Sequence, residues 1–400
     1  MVINSIRLFA ANGYPVDIYI NYRNLLKSSI DFPEENITFI VYDDRRRSIF
    51  LKLYRFVFFR TGNLFSPVTK HISIKRFLLI FYPHISRFSR WLTHRLNMID
   101  YTYVMPVEYY SLLCLHDMKE KHKIVYYNME LMGWQPKNPT IQNKLVLKNL
   151  EYNQIQHLSH IVVPSPHRAE IFSQINKIDR NNIYVLPVAA MGKPADNKNR
   201  FFRDLFNIAD NKRIVIYSGN FRAWAQCLEI IHTVRRWPRD FVLVMHTWNK
   251  QAFETSYFSK IKRAARELPV YFSGEYIEYD DLAEFLSSAD IGLAFYEEID
   301  ENFTEILFSS NKIGEYLKAG LAVICSDFPS LNNFVRHNNV GMAVSPEYLP
   351  QALEQIGSNI DYYKNNALTC YQEQYSFEHY FRLFYDHLTS STKKKQHHQQ

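Results

Sequence analysis

From Ser309 to Ser326 the chain reads SSNKIGEYLKAGLAVICS, a run whose residue types and spacing suit a phosphorylated ligand. Ser309 or Ser310 can cap a helix, so that free N–H groups and the positive end of the helix dipole face a diphosphate. Asn311 opens that helix, and Lys312 adds a formal positive charge to the same end. Glu315 follows at i+3 on the Lys312 face, where a carboxylate can accept two hydroxyls of a ribose. Its alternative is a surface carboxylate paired with Lys312 or Lys318. Two Gly turns could complete such a site. Ser218-Gly219-Asn220-Phe221-Arg222 places a Gly and a cation after a β-branched run, as a phosphate loop requires. Ser273-Gly274-Glu275-Tyr276-Ile277 offers backbone groups and a flat surface to a nucleobase.

Acid–base chemistry has fewer candidates. Asn128-Met129-Glu130-Leu131 follows the apolar run Ile124–Tyr127, so Glu130 stands at a strand end and could orient an acceptor hydroxyl or take its proton. Glu108, after Tyr101–Val104, is a second candidate. Either could instead cap a helix or pair with a base. His116 and His246 read as packed or exposed histidines. Asp43-Asp44 precedes Arg45–Arg47 and reads as a turn, so no paired-acid metal site and no cofactor are expected. Cys114, Cys227, Cys325 and Cys370 have neither CxxC spacing nor a Cys/His cluster, which points to reduced thiols.

Ligands of open parallel sheets lie beyond the carboxyl ends of the strands, and these turns fit that placement. Strands are expected at Val16–Ile20, Ile37–Tyr42, Tyr101–Val104, Ile124–Tyr127, Ile161–Pro164 and Ile183–Leu186. A second series follows at Arg213–Tyr217, Phe241–His246, Val270–Phe272, Ile291–Phe295 and Ala322–Ser326. Helical stretches such as Asp281–Ser288 alternate with them, the pattern of a doubly wound α/β protein. Ala189–Arg200 is small and polar and reads as a linker. The expected organisation is an N-terminal α/β domain over 1–188, a linker over 189–200, a second α/β domain over 201–365, a C-terminal helix over 366–390 and a disordered tail over 391–400. Phe377, Phe381, Phe384, Tyr385 and Leu388 make that helix an aromatic stripe in need of a surface.

The 400 residues are 47% hydrophobic and carry a formal charge of +7, unevenly spread. Twelve bases and no acid fall between Arg45 and Ile99, so the remainder is −5. Arg45, Arg46, Arg47, Lys52, Arg55, Arg60, Lys75 and Arg76 are interleaved with aromatic and aliphatic residues, which suits an acceptor or an anionic bilayer surface. A solvated basic face is the alternative. No apolar run reaches the length of a spanning helix, and Met1–Ala11 lacks the pattern of a signal peptide. No nucleic-acid recognition module accompanies the bases.

SSNKIGEYLKAGLAVICSDFPSL resembles the donor-site segment of GT-B-fold glycosyltransferases of the group 1, or family 4, type. YFSGEYIEYDDLAEFLSSADIGLAFY resembles the strand, Gly turn, helix and strand that precede it, and HIVVPSPHRAEIF with NIYVLPVA resembles the end of the N-terminal domain. The resemblance implies two Rossmann-like doubly wound domains facing across a cleft. By position, Glu315 would bind the donor ribose, Ser310, Asn311 and Lys312 the diphosphate, Gly219 and Arg222 the phosphates, and Tyr276 and Ile277 the base. Three departures stand out. Leu307 occupies the place of the family's earlier Glu, with Glu305 nearby. The opening helix Ile3–Asn12 and strand Val16–Ile20 resemble the family's first helix and second strand, so the N-terminal sheet is expected to lack its first strand. The catalytic position often filled by His has no obvious occupant.

The resulting expectation is a cytoplasmic glycosyltransferase, peripheral on the inner face of the cell membrane. It would move a sugar from a nucleotide-diphosphate donor to a lipid-linked or polysaccharide acceptor in surface polysaccharide synthesis, with Lys312 stabilising the leaving group and, by resemblance, anomeric retention. The rival is a non-catalytic GT-B-like subunit or scaffold at the membrane. A sugar-nucleotide epimerase on the same fold is a third reading.

Overall fold

The computed structural model describes residues 1–21, 34–42, 74, 82–134, 142–195 and 199–397. The expected surface of Arg45, Arg46, Arg47, Lys52, Arg55, Arg60, Lys75 and Arg76, and the Asp43-Asp44 turn, lie outside the described residues. The chain divides into two compact units, Met1–Leu186 and Pro187–Gln400.

The N-terminal unit runs α1 (Val2–Ala11), β1 (Val16–Asn21), β2 (Ile37–Tyr42), α2 (Pro83–Leu96), α3 (Glu108–Cys114), β3 (Val125–Tyr127), α4 (Gln142–Ile155), β4 (His160–Val163), α5 (Pro166–Asn176) and β5 (Ile183–Val185). β1 and β2 pair in parallel, from Val16 opposite Ile37 to Asn21 opposite Tyr42. β3, β4 and β5 form a separate parallel sheet in that order. Among the described residues no strand precedes α1. Tyr101–Val104, expected as a strand, makes only a bridge from Val104 to Ile124, with a second from Val107 to Tyr127. Pro106, between the two bridges, has no N–H with which to continue a ladder. The strands β3 and β4 are wholly buried, and Tyr126, Ile161, Val163, Phe172 and Leu112 share one core.

The C-terminal unit contains α6 (Phe201–Phe206), β6 (Arg213–Ser218), α7 (Cys227–Thr233), β7 (Phe241–His246), α8 (Ser256–Ala264), β8 (Val270–Ser273), α9 (Leu282–Leu286), β9 (Ile291–Ala294), α10 (Asn311–Lys318), β10 (Ala322–Cys325), α11 (Pro329–His337), β11 (Gly341–Ala343), α12 (Leu349–Gly357), α13 (Ile360–Cys370) and α14 (Phe377–His397). Its strands form one sheet, ordered β11-β10-β9-β6-β7-β8, in which every pairing is parallel. The apolar runs of β6, β7, β9 and β10 are nearly continuous because helices cover both faces. β11 escapes a reading of sequence because three residues show no alternation. Its Gly341 is required by close approach, since a Cβ there would sit 1.7 Å from the Val323 carbonyl oxygen.

Two expected boundaries shift. Ala189 and Ala190 are buried rather than part of a free linker. Val188 N–H donates to the Phe308 carbonyl at 2.7 Å, Phe377 N–H to that of Ala190 at 2.9 Å, and Lys318 Nζ to that of Met191 at 2.7 Å. Small residues permit this close packing, so the stretch from Pro187 belongs to the C-terminal unit. At the other end, α14 continues to His397 where a disordered tail was expected from 391. Once the buried stripe of Phe377, Phe381, Phe384 and Leu388 has nucleated the helix, each further Lys, Gln or His adds a hydrogen bond without a new nucleation cost.

The sheet's order reverses between β6 and β9, and one side chain secures that point. Tyr316 of α10 lies over Gly292, where a Cβ would come within 2.4 Å of its ring. Its hydroxyl accepts from Ser218 N–H at 3.0 Å and donates to the Leu293 carbonyl at 3.2 Å. A Gly292→Ala change is expected to force the ring outward and destabilise the unit by about 1–3 kcal/mol, the usual cost of overpacking. An unchanged urea midpoint would show that the ring is not wedged there.

Candidate donor site

The carboxyl ends of β6 and β9 flank the switch point of the sheet, where doubly wound folds bind ligands. β6 leads to Gly219, whose N–H donates to the His246 carbonyl at 3.0 Å. β9 leads to Tyr296, whose hydroxyl meets Ser310 Oγ at 2.6 Å. Ser310 also caps α10, its Oγ accepting from Lys312 N–H at 3.4 Å. The expected cap is therefore Ser310. Ser309 lies just outside the helix, and its N–H donates to the Ile306 carbonyl at 2.8 Å.

Lys312 is the electrostatic centre of this group. Its Nζ lies 5.6 Å from the centre of the Tyr217 ring, 5.7 Å from Trp224 and 5.3 Å from Tyr296, cation–π distances on three sides. Against Gly219 the fit is close: a Cβ there would stand 2.8 Å from Lys312 Cε and 3.0 Å from Nζ. No carboxylate among the described residues pairs with the ammonium, and burial pushes its pKa down to about 8. Ring faces are weak compensation for lost water, so the site holds a cation that still lacks an anion.

Glu315, one turn further along α10, is buried at 5% exposure, and burial raises its carboxyl to about 7. Neither Lys312 nor Lys318 lies within ion-pair distance, so the surface ion pair considered from sequence does not form. Lys318, itself buried, spends its ammonium on the Met191 carbonyl. Gly314 lets this turn pack closely, since a Cβ there would approach Tyr375 to 2.8 Å and Ala190 N to 3.3 Å. α10 therefore presents a half-buried cation and a buried carboxylate near its N-terminus, neither of them in an ion pair among the described residues.

The remaining expected donor residues share the carboxyl edge of the sheet. Asn311 is exposed at the start of α10, and Arg222 is exposed on the loop after β6, where its carbonyl accepts from Ala225 N–H at 3.1 Å. Gly274 follows β8 and faces Phe253, which a Cβ would meet at 2.7 Å. Tyr276 is exposed and Ile277 half-buried beyond it. Among the described residues no hydrogen bond, ion pair or ring contact ties Arg222, Tyr276 or Ile277 to the Lys312 group. His246 behaves as a packing residue: Nδ1 is 3.1 Å from Ser273 Oγ, and burial lowers its pKa to about 4. The ring cage of Tyr217, Trp224 and Tyr296 was missed by the reading of sequence; the only signal was an aromatic residue at or just beyond the ends of β6 and β9. Phe308, in the loop before α10, adopts φ 63°, a left-handed conformation uncommon for an aromatic residue. It is held by stacking on Tyr375 at 4.7 Å and by N–H donation to the Tyr375 hydroxyl at 3.2 Å.

In the N-terminal unit the acids divide differently from expectation. Glu130 is exposed after β3, whereas Glu108 is turned inward. Glu108 Oε1 accepts from Met129 N–H at 2.7 Å and Glu130 N–H at 3.2 Å, and burial raises its carboxyl to about 7. Beneath the loop, Lys148 and Glu151 form a buried pair at 2.9 Å, and Tyr126 donates to Glu151 at 2.6 Å. Glu108 therefore fixes the backbone that carries Glu130.

Two α/β units built on parallel sheets, the second with Lys312 at the switch of its sheet, have the GT-B fold found in glycosyltransferases. More particularly, residues 212–359 match the family model described as glycosyl transferases group 1. No curated protein sequence matches the chain. Among solved structures, WaaG, a glycosyltransferase involved in lipopolysaccharide biosynthesis, is 13% identical, with 93% of this chain and 91% of that chain covered at a TM-score of 0.61. An E. coli structure described as trehalose-6-phosphate bound with UDP-2-fluoro glucose is 11% identical, with 97% of this chain and 95% of that chain covered at a TM-score of 0.65. Anabaena HepE in complex with UDP and glucose is 13% identical, with 96% and 95% covered at 0.64. At these identities the likeness establishes the GT-B fold.

Lys312→Met keeps the apolar stem and removes the charge. We expect it to retain or raise thermal stability, because a half-buried charge without an ion pair among the described residues disappears, while nucleoside diphosphate affinity falls at least tenfold. Equal affinity in a titration by calorimetry would remove Lys312 from the site.

Proposed function

We propose that the chain transfers a sugar from a nucleoside-diphosphate sugar, bound on the C-terminal unit, to a hydroxyl of a lipid-linked or polysaccharide acceptor, as in surface polysaccharide synthesis. The observation that carries this reading is the Lys312 ammonium, caged by three rings at the start of α10 and lacking an anion, with buried Glu315 one turn away. A diphosphate supplies the missing charge and meets the helix N-terminus; a ribose supplies two hydroxyl donors to Glu315. As the glycosidic bond to the diphosphate breaks, negative charge grows on the leaving oxygen, and Lys312 stabilises that change in a poorly hydrated setting. No metal is assigned a part in this scheme. Exposed Glu130, on the loop fixed by Glu108, is the proposed group for orienting the acceptor hydroxyl. Retention at the anomeric carbon is proposed from the resemblance of the donor segment alone. That neighbours of the same fold hold UDP-glucose or UDP with glucose supports a nucleotide-sugar donor.

Membrane association is proposed from the acid-free basic stretch. No helix among the described residues is long and apolar enough to cross a membrane. Replacing Arg45, Arg46 and Arg47 by Ala is expected to reduce co-sedimentation with vesicles containing anionic lipid. Retained binding would assign the membrane contact elsewhere or deny it. The non-catalytic alternative rests on Leu307 in place of an acid, while the intact Ser310, Lys312 and Glu315 favour an enzyme.

The donor reading is tested by thermal shift with UDP, GDP, dTDP and CMP on the wild type and Glu315→Ala. One nucleotide is expected to raise the midpoint, and the variant to abolish the rise; no shift with any of the four would refute a working donor site.

Titration adds a second signature. The carboxyl of Glu315 must ionise, near pH 7, before it accepts both hydroxyls, and Lys312 loses its proton near pH 8. Affinity should therefore climb through pH 7 and decline above pH 8. A flat profile from pH 6 to 9 would contradict both assignments.

A further inference from the structure

Glu108 opens α3 directly after Val107, whose bridge to Tyr127 runs parallel to β3, so its backbone stands at the carboxyl end of that sheet beside the loop leaving β3. Parallel sheets bind their ligands at that end. Its φ of 63° is a left-handed conformation, costly for a residue with a Cβ and kept only where the surroundings impose it. A Gly or Asn would sit there more easily, so the carboxyl is the reason to look for a function.

The two oxygens of this carboxyl are used unequally. Oε1 accepts from both the Met129 N–H at 2.7 Å and the Glu130 N–H at 3.2 Å, while Oε2 makes no hydrogen bond among the described residues. The loop is held from other sides as well. Arg168 Nη1 donates to the Met129 carbonyl at 2.5 Å, and Asn128 Nδ2 donates to the Tyr126 hydroxyl at 3.1 Å and to Glu151 Oε1 at 3.3 Å. Anchoring therefore occupies one oxygen and fixes the carboxyl plane, a task that a Gln carbonyl would perform equally well. The surrounding groups do not neutralise Glu108. Lys148 of α4 is committed to Glu151 at 2.9 Å, Tyr109 of α3 and Tyr126 of β3 are kept protonated by burial, and no ion pair joins Glu108 to a base among the described residues. Burial, opposed by the two N–H donors and assisted by the charges of Glu130 and Glu151, raises its carboxyl to about 7.

We propose that Glu108 is the catalytic base of the sugar transfer, its Oε2 receiving the proton of the acceptor hydroxyl that neighbouring Glu130 orients. The assignment rests on the proposed transfer and names the group within it that takes the proton. As the acceptor oxygen bonds to the anomeric carbon, the bond from that carbon to the diphosphate oxygen breaks, and its electron pair departs with the nucleoside diphosphate. The hydroxyl proton goes to Oε2 and then to water. A carboxyl that ionises near neutral pH is both available as the base and strong enough to act as one. Its anchored plane spares the search for a productive rotamer.

Glu108→Gln separates the two roles, because its amide oxygen can still accept both N–H groups while the other position can no longer take a proton. The full chain is assayed for release of nucleoside diphosphate from UDP-glucose, GDP-mannose and dTDP-glucose, with water standing in as acceptor. The wild type is expected to turn over one of them, and the variant to do so about a hundredfold more slowly or worse, at an unchanged KM and thermal midpoint. With donor saturating, so that the part Glu315 plays in affinity drops out, wild-type turnover should rise through pH 7 as Glu108 ionises and be lost below it. The variant should lack that rise. Formate should restore part of the turnover to Glu108→Ala, since a free carboxylate can replace a base but not a backbone anchor; no recovery would count against the proposal. Unchanged turnover in Glu108→Gln would overturn it and leave the proton to the departing diphosphate. A loss accompanied by faster hydrogen exchange at the Met129 and Glu130 amides would also overturn it, by reducing Glu108 to an anchor. Release from none of the three by the wild type would instead refute the transfer itself, and the base with it.

Discussion

The C-terminal unit depends on Tyr316 occupying the space that Gly292 leaves vacant. The ring crosses the central strand β9, and its hydroxyl joins Ser218 at the end of β6 to Leu293 within β9. A helix laid on a sheet is ordinarily free to slide by fractions of an ångström, because apolar contacts have little direction. Two hydrogen bonds from a fully buried tyrosine remove that freedom. The N-terminus of α10 is thereby registered against the carboxyl ends of the strands, and the positions of Lys312 and Glu315 follow. A donor site needs this precision, since charge stabilisation loses value when the charged group is misplaced by an ångström.

A second constraint is charge held away from water without an ion pair among the described residues, Glu315 being buried and Lys312 half-buried. Proteins avoid an unpaired buried ion unless a partner arrives, because desolvation costs more than ring faces return. The lowered pKa of Lys312 and the raised pKa of Glu315 have the same origin in desolvation, and both express a preference for the uncharged form. The proposed nucleoside diphosphate would reverse both preferences, with phosphate oxygens for the cation and hydroxyl donors for the carboxylate. The alternative, a stability role for the pair, would bring Lys312 and Glu315 into contact, and they are not in contact.

Much of the C-terminal unit was legible because its strands are covered on both faces and so appear as unbroken apolar runs. The spacing of Ser310, Lys312 and Glu315 was legible for a related reason: a cap, a base and an acid on one helix are local facts. The cage of Tyr217, Trp224 and Tyr296 was not, since it assembles from segments brought together only when β9 inserts beside β6. Glu108 was ranked below Glu130 because sequence shows which acid follows a strand but not which one turns inward. The positive φ of Glu108, 63°, that accompanies its inward turn has no sequence signal in a non-Gly residue. Ala189–Arg200 has the composition of a linker, yet its first residues donate and accept backbone bonds within the C-terminal unit. Small residues serve flexible joints and tight packing equally well.

The two units also differ in how far their sheets are completed. In the C-terminal unit, strands β6, β7, β9 and β10 each have a neighbour on both sides, and the charged groups of the site can be buried because the backbone around them is satisfied. In the N-terminal unit, β1 and the segment holding Tyr101 are tied, among the described residues, by side-chain hydroxyls and a carboxylate instead of by a ladder. A ladder fixes a spacing repeatedly along its length, whereas the Asp17–Tyr101–Tyr19 contact fixes it at one point. Opening at this contact should therefore require less free energy than opening the sheet of the C-terminal unit, because fewer backbone bonds are broken.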